Sequence, residues 1–327
     1  MMTPTRSPRK AVHRLADARR VLVTSHRNPD GDAIGTELAF ASLAHALGVE
    51  TVLCNRDPAP GGLAELPGSD GILVRETLPE DFPAGYDLVA TMECPGLDRT
   101  GFSGLTRLPI LNIDHHRDNE LYGVVNYIDE EAPAAGEMVW RMFTVAGVQP
   151  DADAATCAFL ALSTDTGDFR YGNATQRAFQ AASEMVAYGA RPERVAQWVH
   201  ERRSAASVRL LGEALRTLEL RAGGRMAIIE AGPEAFERAG AEPSDTEDII
   251  NVPRSITGVE VALFLKQWEP GVTRASLRSK GALDVRSVAA AFGGGGHTNA
   301  AGCTVEADLP AARALLVEKL EQILETS

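Results

Sequence analysis

Short apolar runs that end on polar residues limit what this chain can fold into. "RRVLVTSH" (19–26) is a β-branched run ending on His26, "YDLVATME" (86–93) ends on Glu93, and "PILNIDHH" (109–116) ends on Asp114, His115 and His116. "VETVLCN" (49–55) and "LYGVVNYID" (121–129) read as two further strands. Leu38, Ala39, Leu43 and Ala46 share one face of a helix over about 35–47, which Gly48 is placed to stop. Helices are also predicted at about 134–146, 152–163 and 174–189. Near-continuous apolar strands separated by helices predict a mostly parallel sheet covered on both faces. In such sheets ligands bind beyond the carboxyl ends of the strands, so three polar clusters are expected on one edge of one sheet.

The second half reads differently. "RPERVAQWVHERRSAASVRLLGEALRTL" (191–218) looks helical and is suited to bridging two domains. "LELRAGGRMAIIEA" (218–231) suggests a hairpin around Ala222, Gly223 and Gly224. Strands follow at 259–268 and 272–280, and a helix at about 284–292 runs into "FGGGGHTNAAG" (292–302). The expected organisation is α/β throughout: a parallel-sheet domain over 1–190, a helical linker over 191–216, and a smaller α/β domain over 217–327. The first ten residues are expected to be a loose tail. No apolar run approaches the roughly 20 residues of a membrane helix, and no secretory signal is apparent. Cys54, Cys94, Cys157 and Cys303 form no C-x-x-C pair, which argues against a zinc-thiolate site and fits a cytoplasmic protein. With 32 basic and 45 acidic residues, the net charge is −13. A protein that tracks long nucleic acid needs a basic stripe, so a small anionic substrate met by a local basic pocket is the easier fit.

"SHRNPDGDAIG" (25–35) crowds His26, Asp30 and Asp32 into seven residues. Like charges that close destabilise each other unless something neutralises them. "LSTDTGDFRYGNAT" (162–175) adds Asp165 and Asp168. His26, Asp30, Asp32, Glu93, Asp114, His115 and Asp165 make a carboxylate-rich, imidazole-containing set without thiolate, suited to Mn²⁺ or Mg²⁺, with Co²⁺ or Zn²⁺ as competitors. So many anionic ligands exceed one ion. Two ions about 3.5–4 Å apart would neutralise them and build a hydrolase site. The glycine between the aspartates is expected to let the backbone turn sharply. In the second half, Gly294, Gly295 and Gly296 offer close backbone approach to a phosphate or base. His297 and Asn299 would add side-chain contacts, with Arg278 and Lys280 one strand away.

These stretches, with "MECPGLDRTG" (92–101) and "SLRSKG" (276–281), carry a resemblance. In order and over most of the chain, they are similar to the DHH-family phosphoesterases, in the branch of bacterial nanoRNases that also act as pAp phosphatases. The resemblance implies a DHH domain, a helical linker and a smaller DHH-associated domain that holds the nucleotide. It implies two Mn²⁺ ions and hydrolysis of short oligoribonucleotides to mononucleotides, by direct attack of activated water. The acidic balance and the lack of a long apolar run argue against long duplex nucleic acid and membranes as partners, and a homodimer is allowed. His26 and Asp30 would hold one ion; Asp32, His115 and Asp165 the other; Glu93 would bridge them. His116 would face the scissile phosphate and Asp114 would orient the histidine pair, so that His116, Asp114 and Asp32 carry the chemistry. Arg99, Arg278, Lys280, His297, Asn299 and the glycines would grip the substrate.

One departure is Glu93, where the family usually has aspartate. The extra methylene changes its reach by about 1.5 Å. The alternatives are a phosphodiesterase of cyclic or linear dinucleotides, a family II pyrophosphatase (disfavoured by the glycine-rich segment), and a nucleotide-binding regulator with a decayed site, supported by Glu93 alone. A long-strand exonuclease of the RecJ type is disfavoured by the acidic balance.

Overall fold

The computed structural model describes residues 5–246 and 249–325. The chain divides into two compact units, Met1–Arg202 and Arg203–Ser327. In the first, strands β1 (Arg20–Thr24), β2 (Glu50–Asn55), β3 (Leu73–Val74), β4 (Leu88–Met92), β5 (Ile110–Asp114) and β6 (Val125–Ile128) form a sheet ordered β3-β2-β1-β4-β5-β6. Every neighbouring pair is parallel. The order reverses between β1 and β4, and such a switch point opens a crevice at the strand ends. Thr24 lies beside Thr91, and Met92 beside Ile113, so the residues that follow β1, β4 and β5 leave from one edge.

Helices α1 (Arg9–Ala16), α2 (Gly31–Ala46), α3 (Ala135–Ala146), α4 (Ala152–Asp165), α5 (Gln176–Ala187) and α6 (Pro192–His200) belong to this unit. Val21, Val23, Ala90 and Met92 pack with Phe40, Met138, Phe143 and Leu160 of the helices. Leu22, Val89 and Ile110 alternate to the opposite face, against Phe82, Tyr86, Phe102 and Leu105. That face is covered by irregular chain and short 3₁₀ turns. The segments involved, "LPEDFPAGYD" and "CPGLDRTGFSGLTRLP", are punctuated by proline and glycine, which break helices.

Two expectations need correction. The residues before α1 are not loose: Thr5 pairs in parallel with Tyr127, its N–H donating to the Asn126 carbonyl at 2.9 Å. Residues 1–4 lie outside the described residues. And α2 begins at Gly31, four residues earlier than its apolar face suggests, because the Asp30 side chain caps it by accepting from the Ala33 N–H at 3.0 Å. Gly31 is therefore helical and makes no sharp turn. A Cβ there would lie 2.5 Å from Thr164 of α4, so the glycine serves close helix–helix approach.

The stretch 191–216 forms two helices, α6 and α7 (Ala205–Leu215), and the division between the units falls in the break between them. The second unit adds strands β7 (Glu219–Arg221), β8 (Met226–Ala231), β9 (Val261–Glu269), β10 (Val272–Ser279), β11 (Gly295–His297) and β12 (Ala300–Val305). They form a sheet ordered β11-β12-β10-β9-β8-β7, antiparallel except for β8 with β9. Its helices are α8 (Pro233–Ala239), α9 (Asn251–Arg254), α10 (Val285–Ala290) and α11 (Leu309–Glu325). Leu263 and Leu265 face Val288, Leu316 and Leu320; the alternate residues Ala262 and Phe264 face Leu210 and Phe236. No helix among the described residues is long and apolar enough to cross a membrane.

Candidate active site

The residues that follow β1, β4 and β5, with the first turn of α2 and the last turn of α4, converge. Glu93, immediately after β4, has a left-handed backbone (φ 58°), uncommon for a residue with a long side chain. It is buried, and its Oε1 lies 3.0 Å from His115 Nε2. Apart from this ring nitrogen, no hydrogen-bond partner among the described residues reaches the buried Oε1. His115 Nε2 is also 3.8 Å from Asp165 Oδ2 and 3.9 Å from Asp32 Oδ2. Ligand atoms of Glu93, His115 and His116 form one group within 4.8 Å of one another, and those of Asp32, His115 and Asp165 form another. His115 belongs to both.

Each of these groups is held from behind. His115 Nδ1 donates to the Ala132 carbonyl at 3.1 Å, His26 Nδ1 to the Arg27 carbonyl at 2.9 Å, and His116 Nδ1 to Asp114 Oδ1 at 2.8 Å. A carbonyl or carboxylate oxygen only accepts, so the proton sits on Nδ1 and Nε2 is the nitrogen left for a ligand. Asp114 is fully buried and saturated with donors: Oδ1 takes the N–H groups of His115 and His116 and the His116 ring, and Oδ2 takes Asn119 at 2.6 Å. It positions the two histidines and does not reach the cluster itself. Asp32 accepts from the N–H groups of Ala135 and Gly136 at the start of α3, at 2.7 and 3.0 Å, and from Thr36 at 2.8 Å.

The electrostatics have one direction. Burial, then the Asp32 charge, pushes Glu93 up to about 8 and Asp165 up to about 7. Burial raises Asp32 as well. Burial alone would lower His115, but Glu93, Asp32 and Asp165 outweigh it and push it up to about 11. For His116 burial is outweighed by Asp114 and Glu93, to about 9. Carboxylates that rise beside imidazoles that rise mark a site short of positive charge. The buried Glu93 oxygen, the Nε2 atoms and the oxygen-rich donor set fit divalent cations.

His26 and Asp30 stand apart from the two groups. Their Nε2–Oδ1 distance is 4.0 Å, and Asp30 is spent partly as the cap of α2. Asp30 still raises Asp32 and Asp165 by its charge, so it lies within electrostatic reach. Arg99 is exposed on the loop after Glu93, and its carbonyl accepts from the Arg27 N–H at 2.7 Å. In the second unit, Arg278 Nη1 donates to the Leu277 carbonyl at 3.0 Å and Lys280 Nζ to the Ile256 carbonyl at 3.2 Å. Asn299 Nδ2 donates to Ser279 Oγ at 2.8 Å and the Gly281 carbonyl at 3.0 Å, tying a hairpin tip to the end of β10. A Cβ on Gly294 would lie 2.2 Å from the Gly302 carbonyl oxygen and one on Gly296 2.4 Å from that of Ala300, whereas Gly295 faces open space. The side chain of His297 lies outside the described residues.

Two residues that the sequence reading gave no role also support the site. Asn119 holds Asp114. Asn173 Nδ2 donates to Asp165 Oδ2 at 3.1 Å and to the Pro133 carbonyl at 3.0 Å. Asn173 lies inside the 162–175 motif and Asn119 three residues after the 109–116 run, but an asparagine in a loop is also ordinary turn chemistry, so neither carries a separate signal in sequence.

Comparison with known proteins follows the same division. The model of the DHH family, N-terminal domain, matches residues 20–162, and that of the DHHA1 domain matches 226–326. A bifunctional oligoribonuclease and PAP phosphatase NrnA of Thermus thermophilus is 32% identical over 313 residues, covering 93% of this chain and 90% of that protein. An exopolyphosphatase-related protein of Bacteroides fragilis superposes with a TM-score of 0.87 at 23% identity, covering 98% of each chain. Exonuclease RecJ bound to manganese shares the fold at a TM-score of 0.51 and 16% identity, covering 98% of this chain and 96% of that one.

Proposed function

The chain belongs to the DHH phosphoesterase family, and from that premise we propose that it is a two-metal phosphodiesterase acting on very short RNA. It would release mononucleotides and also remove the 3′-phosphate of nucleoside 3′,5′-bisphosphates. The observation that carries this is the convergence of two groups of ligand atoms, Glu93, His115 and His116 in one and Asp32, His115 and Asp165 in the other, on the shared His115. Support for the substrate class comes from the Thermus thermophilus relative, whose similarity runs through both units.

Asp32, His115 and Asp165 would hold one ion, His26 and Asp30 the other, with Glu93 between them; manganese is the expected metal. When bound, the ions supply Lewis acidity and lower the pKa of water. The remaining work falls to the protein. His116, fixed through Nδ1 by Asp114, presents Nε2 to the reacting phosphate and offsets charge building on the leaving oxygen. Asn119 keeps Asp114 in place, and Asn173 does the same for Asp165. Arg99 on its loop, and Arg278, Lys280, His297, Asn299 and the glycines 294–296 in the second unit, would hold the nucleotide. The four cysteines, all free and buried, fit a cytoplasmic enzyme, and gel filtration tests whether it is a homodimer.

The test is a panel of adenosine 3′,5′-bisphosphate, di- to pentanucleotides and RNAs tens of nucleotides long, with Mn²⁺. Activity confined to the short substrates is expected, with loss in chelator. Preference for the long RNAs, or full activity in chelator, would overturn the reading.

A further inference from the structure

His116 borders more than the carboxylate cluster. On one side its Nδ1 is 3.8 Å from Glu93 Oε2; it also lines a cavity of about 440 Å³ whose walls include Arg6, Arg117, Leu121, Ile128 and Glu130. All of these belong to the first unit. Arg6 is anchored there, paired with Glu131 at 3.0 Å and Asp129 at 4.0 Å, on the segment that Thr5 ties to Tyr127. Its charge is already met. Arg117 is different. It directly follows His116, it is exposed, and among the described residues neither a hydrogen bond nor an ion pair engages its guanidinium. In a chain with net charge −13, a free guanidinium beside a reactive histidine is left for an anion, even with Glu130 in the wall.

A phosphodiester is esterified on two sides. An oligonucleotide therefore carries a nucleotide on each side of that phosphate, and a nucleoside bisphosphate carries only one. The cavity beside His116 is large enough for a nucleoside. Leu121 and Ile128 offer an apolar wall to a base, and a guanidinium both pairs with phosphate in a fork and stacks on base planes.

Resting on the reading above, we propose that this cavity is the subsite for the nucleotide on the far side of the reacting phosphate, with Arg117 as its specificity-determining residue. An oligonucleotide would use it. A nucleoside bisphosphate would not, because its reacting phosphate is terminal.

The test compares kcat/KM for a 5′-phosphorylated trinucleotide and for adenosine 3′,5′-bisphosphate, with Mn²⁺, in the wild type, Arg117→Ala and Arg117→Lys. Arg117→Ala is expected to lower the trinucleotide-to-bisphosphate ratio tenfold or more, chiefly through KM. Arg117→Lys should lower it less, since it keeps the charge but loses the fork. A ratio in Arg117→Ala within twofold of the wild type overturns the subsite, whether or not both activities fall together. Wild-type protein that hydrolyses neither substrate overturns the underlying reading instead, and is seen before any variant is made. Equal melting temperatures for wild type and Arg117→Ala show that the exposed substitution has not altered the fold.

Discussion

In the first unit, Glu93, His115 and Asp165 crowd together with acidities pushed far from their usual range. In the second, Asn299 of the glycine-rich hairpin is used locally, tying the hairpin to β10, and Gly294 and Gly296 are needed where backbones nearly touch. Burial that is not compensated within the protein is costly and points to a missing partner. Burial that is compensated explains itself. The first region thus argues for chemistry on its own geometry, while the second argues at most for grip.

The largest effect should come from breaking the first region. His115→Ala removes the nitrogen common to both ligand groups, and turnover with Mn²⁺ should fall on the order of a thousandfold or more. Calorimetric titration with Mn²⁺ should lose binding in parallel; unchanged binding and turnover would dissolve the contrast. Glu93 comes next. Glu93→Gln keeps size but not charge and should cost roughly a hundredfold, whereas Glu93→Asp should stay within about tenfold. Equal, small effects would take residue 93 out of the centre. In the second region, Arg278→Ala should lower nucleotide turnover about tenfold or more relative to a small generic phosphodiester, as loss of a charge-assisted bond implies. Equal losses on both substrates would mean that the second unit does more than grip.

A fourth prediction concerns a carboxylate beneath the first region that takes no part in it. Burial pushes Glu37 up to about 7, only partly offset by the Asn55 amide at 2.8 Å. Its folded pKa exceeds its unfolded one, so the folded state holds the extra proton and stability falls as pH rises from about 4.5 through 7. Glu37→Gln should be less pH-dependent than wild type over that window, by on the order of 3 kcal/mol in urea denaturation. Parallel profiles would show Glu37 ionising normally. The smallest effect is Gly295→Ala. With open space around its Cβ, it should leave the melting temperature within about a degree, whereas Gly294→Ala should lower it clearly. If Gly295→Ala nonetheless weakens nucleotide turnover, that glycine admits a ligand.

Much of the first region was legible because strand periodicity and strand ends are local signals. The apolar runs before His26, Glu93 and Asp114 gave the sheet, and the strand-end rule put the clusters on one edge. The start of α2 was not legible from its apolar face, since "NPDGD" is good turn chemistry and Asp30 turns it into a helix cap. Covering of the opposite face by irregular chain also escaped, because no period marks Phe82, Tyr86, Phe102 and Leu105 as one layer. The glycines of the hairpin could not be sorted by sequence at all. Gly294 and Gly295 are neighbours of identical chemistry, and only the chain opposite, at Gly302, distinguishes them.

Gly31 leaves α2 so near α4 that a single added carbon would strike Thr164, and a Cβ on Gly35, one turn on, would lie 2.4 Å from the Cys157 carbonyl oxygen. The two helices carry Asp32 and Asp165. The spacing of the helices that carry those carboxylates is gauged at Gly35 against backbone, the least compressible contact a protein has, and at Gly31 against the Thr164 side chain. A methyl group at residue 31 would press on Thr164, the immediate neighbour of Asp165, and so disturb that carboxylate without replacing it.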